Sequence, residues 1–368
     1  MKSMATLAVS ALMCLILTVP PADAEGRVNA SGATTDADGA VAAGSDAIAA
    51  APSPPIQPSH GPGGADYAHA EVIAREVHPG AQGWWLFTPA APVPTAGTPV
   101  VVFCHGWGAL DPKGYRAWID HIVRRGNIVI FPNYQDSLFT PGTQFLPNAI
   151  AGVRGALADL ASGTDGVSAD TNRMAVVGHS AGGVLSAEIA TVAQAEGLPA
   201  FRAAMPVEPG DGSRDGRRRA SVPMVDLQSM PPATLLLIVV GADDHLAYEK
   251  LGLHIYDAAA RIPAANKNVI ELESDRHGAP ALIANHSAPA GTLDSHPANA
   301  RRALFPDFEH AGVVDALDWY GTWKLFDALS DAAFYGRERE MALGGSAAQL
   351  SMGAWSDGVP VKPMRVLR

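Results

Sequence analysis

The amino-acid sequence predicts an α/β fold, a mostly parallel twisted sheet with helices on both faces and a helical C-terminal extension. Short apolar runs rich in β-branched residues alternate with longer amphipathic stretches, as in successive βαβ units. The runs are apolar almost throughout, which is how strands covered on both faces read. Each gap between runs is long enough for a crossover helix, so neighbouring strands can lie parallel.

The predicted strands are 83–88, 99–104, 127–131, 173–177, 201–205, 234–240 and 268–273. Between them, 115–125 places Trp118, Ile119, Ile122 and Val123 on one helical face, and 148–160 does the same with Ile150, Val153, Leu157 and Leu160. From Gly278 onward the strand pattern is lost. The stretch 313–335, with Leu317, Trp319, Tyr320, Trp323, Leu325, Phe326, Leu329, Phe334 and Tyr335, reads as one long helix or an aromatic helical pair packed on the sheet, with a substrate-gripping surface as its rival.

Upstream of the domain, Lys2, an apolar run from Ala5 to Val19 and the ending Ala22-Asp23-Ala24 describe a cleavable secretory signal over 1–24. Residues 25–66 are dominated by Ala, Gly, Pro, Ser and Asp. So little apolar surface cannot offset the entropy of ordering the chain, which predicts a disordered low-complexity leader and a folded domain over 67–368. The expected location is secreted or periplasmic, with no stable membrane span once the signal is removed.

A formal net charge of −11 argues against nucleic acid as a partner, because phosphate recognition needs concentrated Lys and Arg. The local exception, Arg214 with Arg217, Arg218 and Arg219, reads as a solvated loop. Of the two cysteines, Cys14 lies in the signal. Cys104 follows the apolar run Val100 to Phe103 and is expected to be a buried core residue. No metal-ligand spacing stands out among twelve histidines, so no metal is expected.

The chemistry is announced by Gly178-His179-Ser180-Ala181-Gly182-Gly183, where a predicted strand runs into an alanine-rich helix. A sharp strand-to-helix turn lifts a serine above the sheet, and any side chain at Gly178 or Gly182 would collide with backbone. Upstream, Cys104-His105-Gly106-Trp107-Gly108 forms a second turn at a strand end. Acyl transfer places negative charge on the former carbonyl oxygen, so backbone N–H groups of Trp107 and Ala181 are the expected oxyanion donors.

A serine nucleophile needs a base, and the base needs an acid to orient it. Such sheets carry these groups in the order serine, acid, histidine. The run 234–240 empties into Gly241-Ala242-Asp243-Asp244, and 268–273 leads into Ser274-Asp275-Arg276-His277. Asp244 is the chosen acid, with Asp243 as its rival. His277 is the chosen base, with His286 and His310 as alternatives. His105, His179, Tyr134 and Gln135 are expected to line the substrate site.

At these positions the sequence resembles the α/β-hydrolase superfamily, in particular secreted bacterial esterase, lipase, cutinase and chlorophyllase-like serine hydrolases. The resemblance spans about 67–277 and is most specific at the two glycine-rich turns. It implies cofactor-free hydrolysis of a small-molecule ester or lipid-like substrate by Ser180, Asp244 and His277. A peptidase or amidase using the same triad is the rival enzyme. A catalytically silent binding protein on the same scaffold is the rival outside catalysis.

Overall fold

The computed structural model describes residues 50–164, 166–212, 221–293 and 312–368. Among these, the predicted strands appear as β2 (Trp84–Ala90), β3 (Thr98–Cys104), β4 (Ile128–Pro132), β5 (Ala169–His179), β6 (Ala203–Val207), β7 (Leu235–Gly241) and β8 (Lys267–Leu272). The sequence reading missed an edge strand at each side, β1 (Glu71–Val77) and β9 (Arg365–Val366). Both lack the apolar run of a buried strand, since β1 carries Glu71, Arg75 and Glu76 and no fully buried residue. The sheet order is β1-β2-β4-β3-β5-β6-β7-β8-β9. Strands β3 to β8 run parallel, and β1, β2 and β9 are antiparallel to their neighbours.

Alternate side chains of each strand enter different cores. Val100, Val102 and Cys104 of β3 face α2 (Phe145–Ala161), α3 (Ala181–Val192) and α4 (Tyr248–Ala258). Val101 and Phe103 face α1 (Arg116–Arg124) and α5 (Trp323–Tyr335). Trp118 of α1 and Phe326 of α5 meet edge to face at 6.3 Å between ring centroids in this second layer. Full burial of such a side chain is worth roughly 2–3 kcal/mol, so the second layer holds α5, and with it the extension, against the sheet. The extension therefore covers a sheet face and, through β9, a sheet edge. Cys104 is fully buried, as expected.

The leader differs from its prediction. Residues 1–49 lie outside the described residues, but 50–66 are part of the domain. Pro52 accepts a hydrogen bond from Ala279 N–H at 2.9 Å, and Ser53 accepts one from Ser356 N–H at 3.0 Å. Gly63 N–H donates to Asp327 at 2.7 Å, and the same carboxylate meets His121 at 2.8 Å and Arg125 at 3.1 Å. A side chain at Gly63 would put its Cβ 1.9 Å from the carbonyl oxygen of Trp319. Composition misjudged this segment because it is held by polar contacts to distant chain rather than by apolar burial. The arginine cluster and His310 fall outside the described residues.

Candidate active site

Ser180 sits between the end of β5 and the start of α3 with φ 57° and ψ −120°, a conformation that L residues seldom adopt. Such strain costs about 1–3 kcal/mol and persists only where the surroundings enforce it. Here Ser180 N–H donates to Val207 at 3.0 Å, and its carbonyl accepts from Gly183 at 2.8 Å and Gly210 at 3.0 Å. A Cβ at Gly178 would lie 2.0 Å from the carbonyl oxygen of Gly182, and one at Gly182 would lie 2.1 Å from that of Cys104. Both glycines are thus required by close backbone approach.

The hydroxyl of Ser180 lies 2.9 Å from Nε2 of His286, whose Nδ1 lies 2.8 Å from Oδ2 of Asp244. The other oxygen of Asp244 accepts from Leu246 N–H at 2.8 Å and Ala247 N–H at 2.9 Å. Burial pushes this carboxyl upward, but His286 and the two N–H groups outweigh it and hold it below the usual carboxylate range. The group therefore stays ionised and can orient the imidazole. The arrangement can pass a proton from the serine to the histidine while the carboxylate steadies the resulting cation.

His277 is not brought to this point. Its Nε2 lies 2.8 Å from Asp357, with both side chains more than a third exposed. The reason is a backbone excursion. Asp275 and Leu282 exchange N–H···O bonds of 2.8 Å each, so the chain leaves the sheet edge after Asp275 and returns after Leu282. His277 rides outward and His286 comes back in. Asp243 serves the returning limb instead of the imidazole, donating its N–H to Ala284 at 3.0 Å and accepting from Ser274 at 2.8 Å and Arg276 at 2.9 Å. The turn residues Gly278-Ala279-Pro280 were the one sequence sign of this excursion.

A cavity of about 220 Å³ opens beside Ser180, lined by Trp107, Ala181, Gly210 and Gly212 with the serine itself. Trp107 and Ala181, the expected oxyanion donors, are both among its lining residues. The four residues assigned to substrate contact do not line the cavity, and all are buried. They brace the site from behind. The ring nitrogens of His105 each lie 2.7 Å from a carbonyl oxygen, those of Gly106 and Asn133, and burial pushes this imidazole down to about 4. Tyr134 stacks on His105 at 4.0 Å and donates its hydroxyl to the His105 carbonyl. Gln135 accepts from Gly108 N–H at 3.0 Å.

His179 belongs to a bridge that joins the Gly106 turn to His286. Gly106 N–H donates to the Tyr115 hydroxyl at 2.9 Å, and that hydroxyl donates to Nδ1 of His179 at 2.8 Å. Nε2–H of His179 then donates to the carbonyl of His286 at 2.8 Å. Burial pushes the His179 imidazole down to about 4, so it works as a neutral donor and acceptor. Sequence reading placed His179 in the site but gave no sign of Tyr115, which is distant in the chain. A second missed residue is Glu208, fully buried just past β6, 3.3 Å from His179 and 3.8 Å from His286. Burial and the neighbouring Asp244 charge push its carboxyl well above the usual range.

A parallel sheet in this order, a strained serine between strand and helix, and a histidine-carboxylate pair from later loops define a protein of the α/β-hydrolase type. Over residues 71–242 the chain matches the sequence model of the Chlorophyllase family, a similarity that supports a hydrolase. That match includes the serine elbow and the His-Gly turn and ends before Asp244 and His286. No curated protein matches the chain. Among the described residues, no helix is long and apolar enough to cross a membrane.

Proposed function

We propose that the protein hydrolyses carboxylic esters of short to medium acyl chain through an acyl-enzyme on Ser180, with His286 as general base and Asp244 as its orienting acid. One observation carries this reading: the unbroken hydrogen-bonded chain from the serine hydroxyl through His286 to Asp244, at 2.9 and 2.8 Å. In this mechanism Ser180 Oγ attacks the ester carbonyl while Nε2 of His286 takes its proton. The N–H groups of Trp107 and Ala181 stabilise the oxyanion, each worth about 3 kcal/mol. The imidazolium returns its proton to the leaving alcohol, and water repeats the sequence to release the acid. The small cavity beside Ser180 favours a modest acyl group over a long chain. Export by the 1–24 signal is part of the same proposal.

Reaction with a fluorophosphonate, followed by peptide mass spectrometry, is expected to place a single adduct on Ser180. Turnover of p-nitrophenyl esters is expected to fall by about 10⁴-fold or more in His286→Ala. His277→Ala should stay within about threefold of the parent, because that side chain lies outside the chain of proton transfer. Labelling at another residue, or loss of activity in His277→Ala but not in His286→Ala, refutes the assignment.

A further inference from the structure

The buried face of the base holds more ligating atoms than ester hydrolysis uses. Nε2 of His179, Oε2 of Glu208 and Nδ1 of His286 all lie within 4.8 Å of one another. The separations are 3.3 Å from His179 to Glu208 and 3.8 Å from Glu208 to His286. Zinc binds nitrogen and oxygen at about 2.0–2.2 Å, so tetrahedral ligand atoms stand about 3.3 Å apart. To close on an ion the cluster releases Nε2 of His179 from the His286 carbonyl and Nδ1 of His286 from Asp244, each a bond of 2.8 Å.

Glu208 is the independent observation. It is completely buried, and neither oxygen has a hydrogen-bond partner among the described residues. A buried polar group left so costs about 1–3 kcal/mol and calls for an explanation. Room is kept for it, since a Cβ on Gly241 would lie 2.8 Å from Oε1 of Glu208. One carboxylate and two imidazoles are a donor set suited to a borderline-soft dication.

We infer that His179, Glu208 and His286 form an inhibitory site for Zn²⁺ on the buried side of the active site. Binding forms one bond from the ion to each of Nε2 of His179, Oε2 of Glu208 and Nδ1 of His286, with water as the fourth ligand. Any proton on Glu208 leaves to solvent. Each imidazole moves its own proton to the nitrogen that does not bind. For His286 that nitrogen is Nε2, which then carries a proton and cannot accept another from Ser180. The ion thus stops turnover without touching the cavity. The inhibition rests on His286 being the base, whereas the affinity does not.

The test separates the two. Isothermal titration of Ser180→Ala protein with ZnCl₂ measures binding without turnover, and one ion per chain with micromolar or tighter affinity is expected. Glu208→Gln in the same background should weaken binding at least tenfold, while His277→Ala should leave it unchanged. MgCl₂ should not bind. X-ray absorption of the zinc-loaded parent protein should show only nitrogen and oxygen neighbours with imidazole scattering, which holds even if Glu208→Gln fails to fold. In the parent, ZnCl₂ should abolish both ester turnover and fluorophosphonate labelling, and EDTA should restore them. No saturable binding, binding that survives Glu208→Gln, or loss of binding in His277→Ala overturns the site. Zinc binding in a protein that never hydrolyses esters would overturn the hydrolase reading alone.

Discussion

Replacing Tyr115 by Phe deletes one oxygen and keeps the ring in place among Phe103 and its neighbours. That oxygen accepts from Gly106 N–H at 2.9 Å and donates to His179 at 2.8 Å, and Tyr115 and His179 are both buried. The variant leaves two buried groups unsatisfied, each costing about 1–3 kcal/mol, so stability should fall by roughly 2–5 kcal/mol with no cavity contribution. Catalysis should suffer separately. The Gly106 turn loses an anchor next to Trp107, and the His179 ring that holds the His286 carbonyl loses its own tether. Misplacement of reacting groups by about 1 Å costs on the order of a hundredfold, so kcat should drop by about 10- to 100-fold with KM little changed. Urea unfolding followed by tryptophan fluorescence gives the first quantity and p-nitrophenyl ester kinetics the second. A stability change under about 1 kcal/mol together with an unaltered kcat would refute the bridge.

Two other expectations follow from the packing. Glu188 is buried in α3 with one oxygen bonded to Val225 N–H at 2.9 Å and the other unpartnered, and burial pushes its carboxyl up to about 7. Its folded pKa is raised, so its contribution is fully present below the unfolded value of about 4.5 and is lost as pH rises through about 7. Glu188→Gln should therefore gain roughly 2–3 kcal/mol over the parent between pH 4.5 and 8 in urea unfolding, and a pH-independent difference would contradict this. Starting the chain at residue 67 instead of 50 removes the bonds from Pro52, Ser53 and Gly63, which should cost roughly 3–5 kcal/mol by thermal or urea unfolding. Equal stability of the two forms would show that 50–66 is a passive tether.

The strands and the elbow were legible because local chemistry specifies them. Runs such as Val100 to Phe103 can only be buried strands between covering layers, and Gly178 and Gly182 are dictated by backbone approach within one turn. Asp244 was legible for the related reason that it follows its strand at once. His286 was not. It lies beyond an excursion closed by Asp275 and Leu282, and no local pattern says which of several loop histidines returns to the sheet edge.

The sequence by itself determined the alternation of strand and helix and the sharp turn that lifts Ser180 above the sheet, because each depends on residues a few positions apart. Only the tertiary structure decided which histidine meets Ser180, the buried placement of His105, Tyr134, Gln135 and His179, the Tyr115 bridge, the buried Glu208 and the docking of 50–66. Each of these is a contact between segments distant in the chain, fixed by how loops close in space, and chain order carries no measure of that.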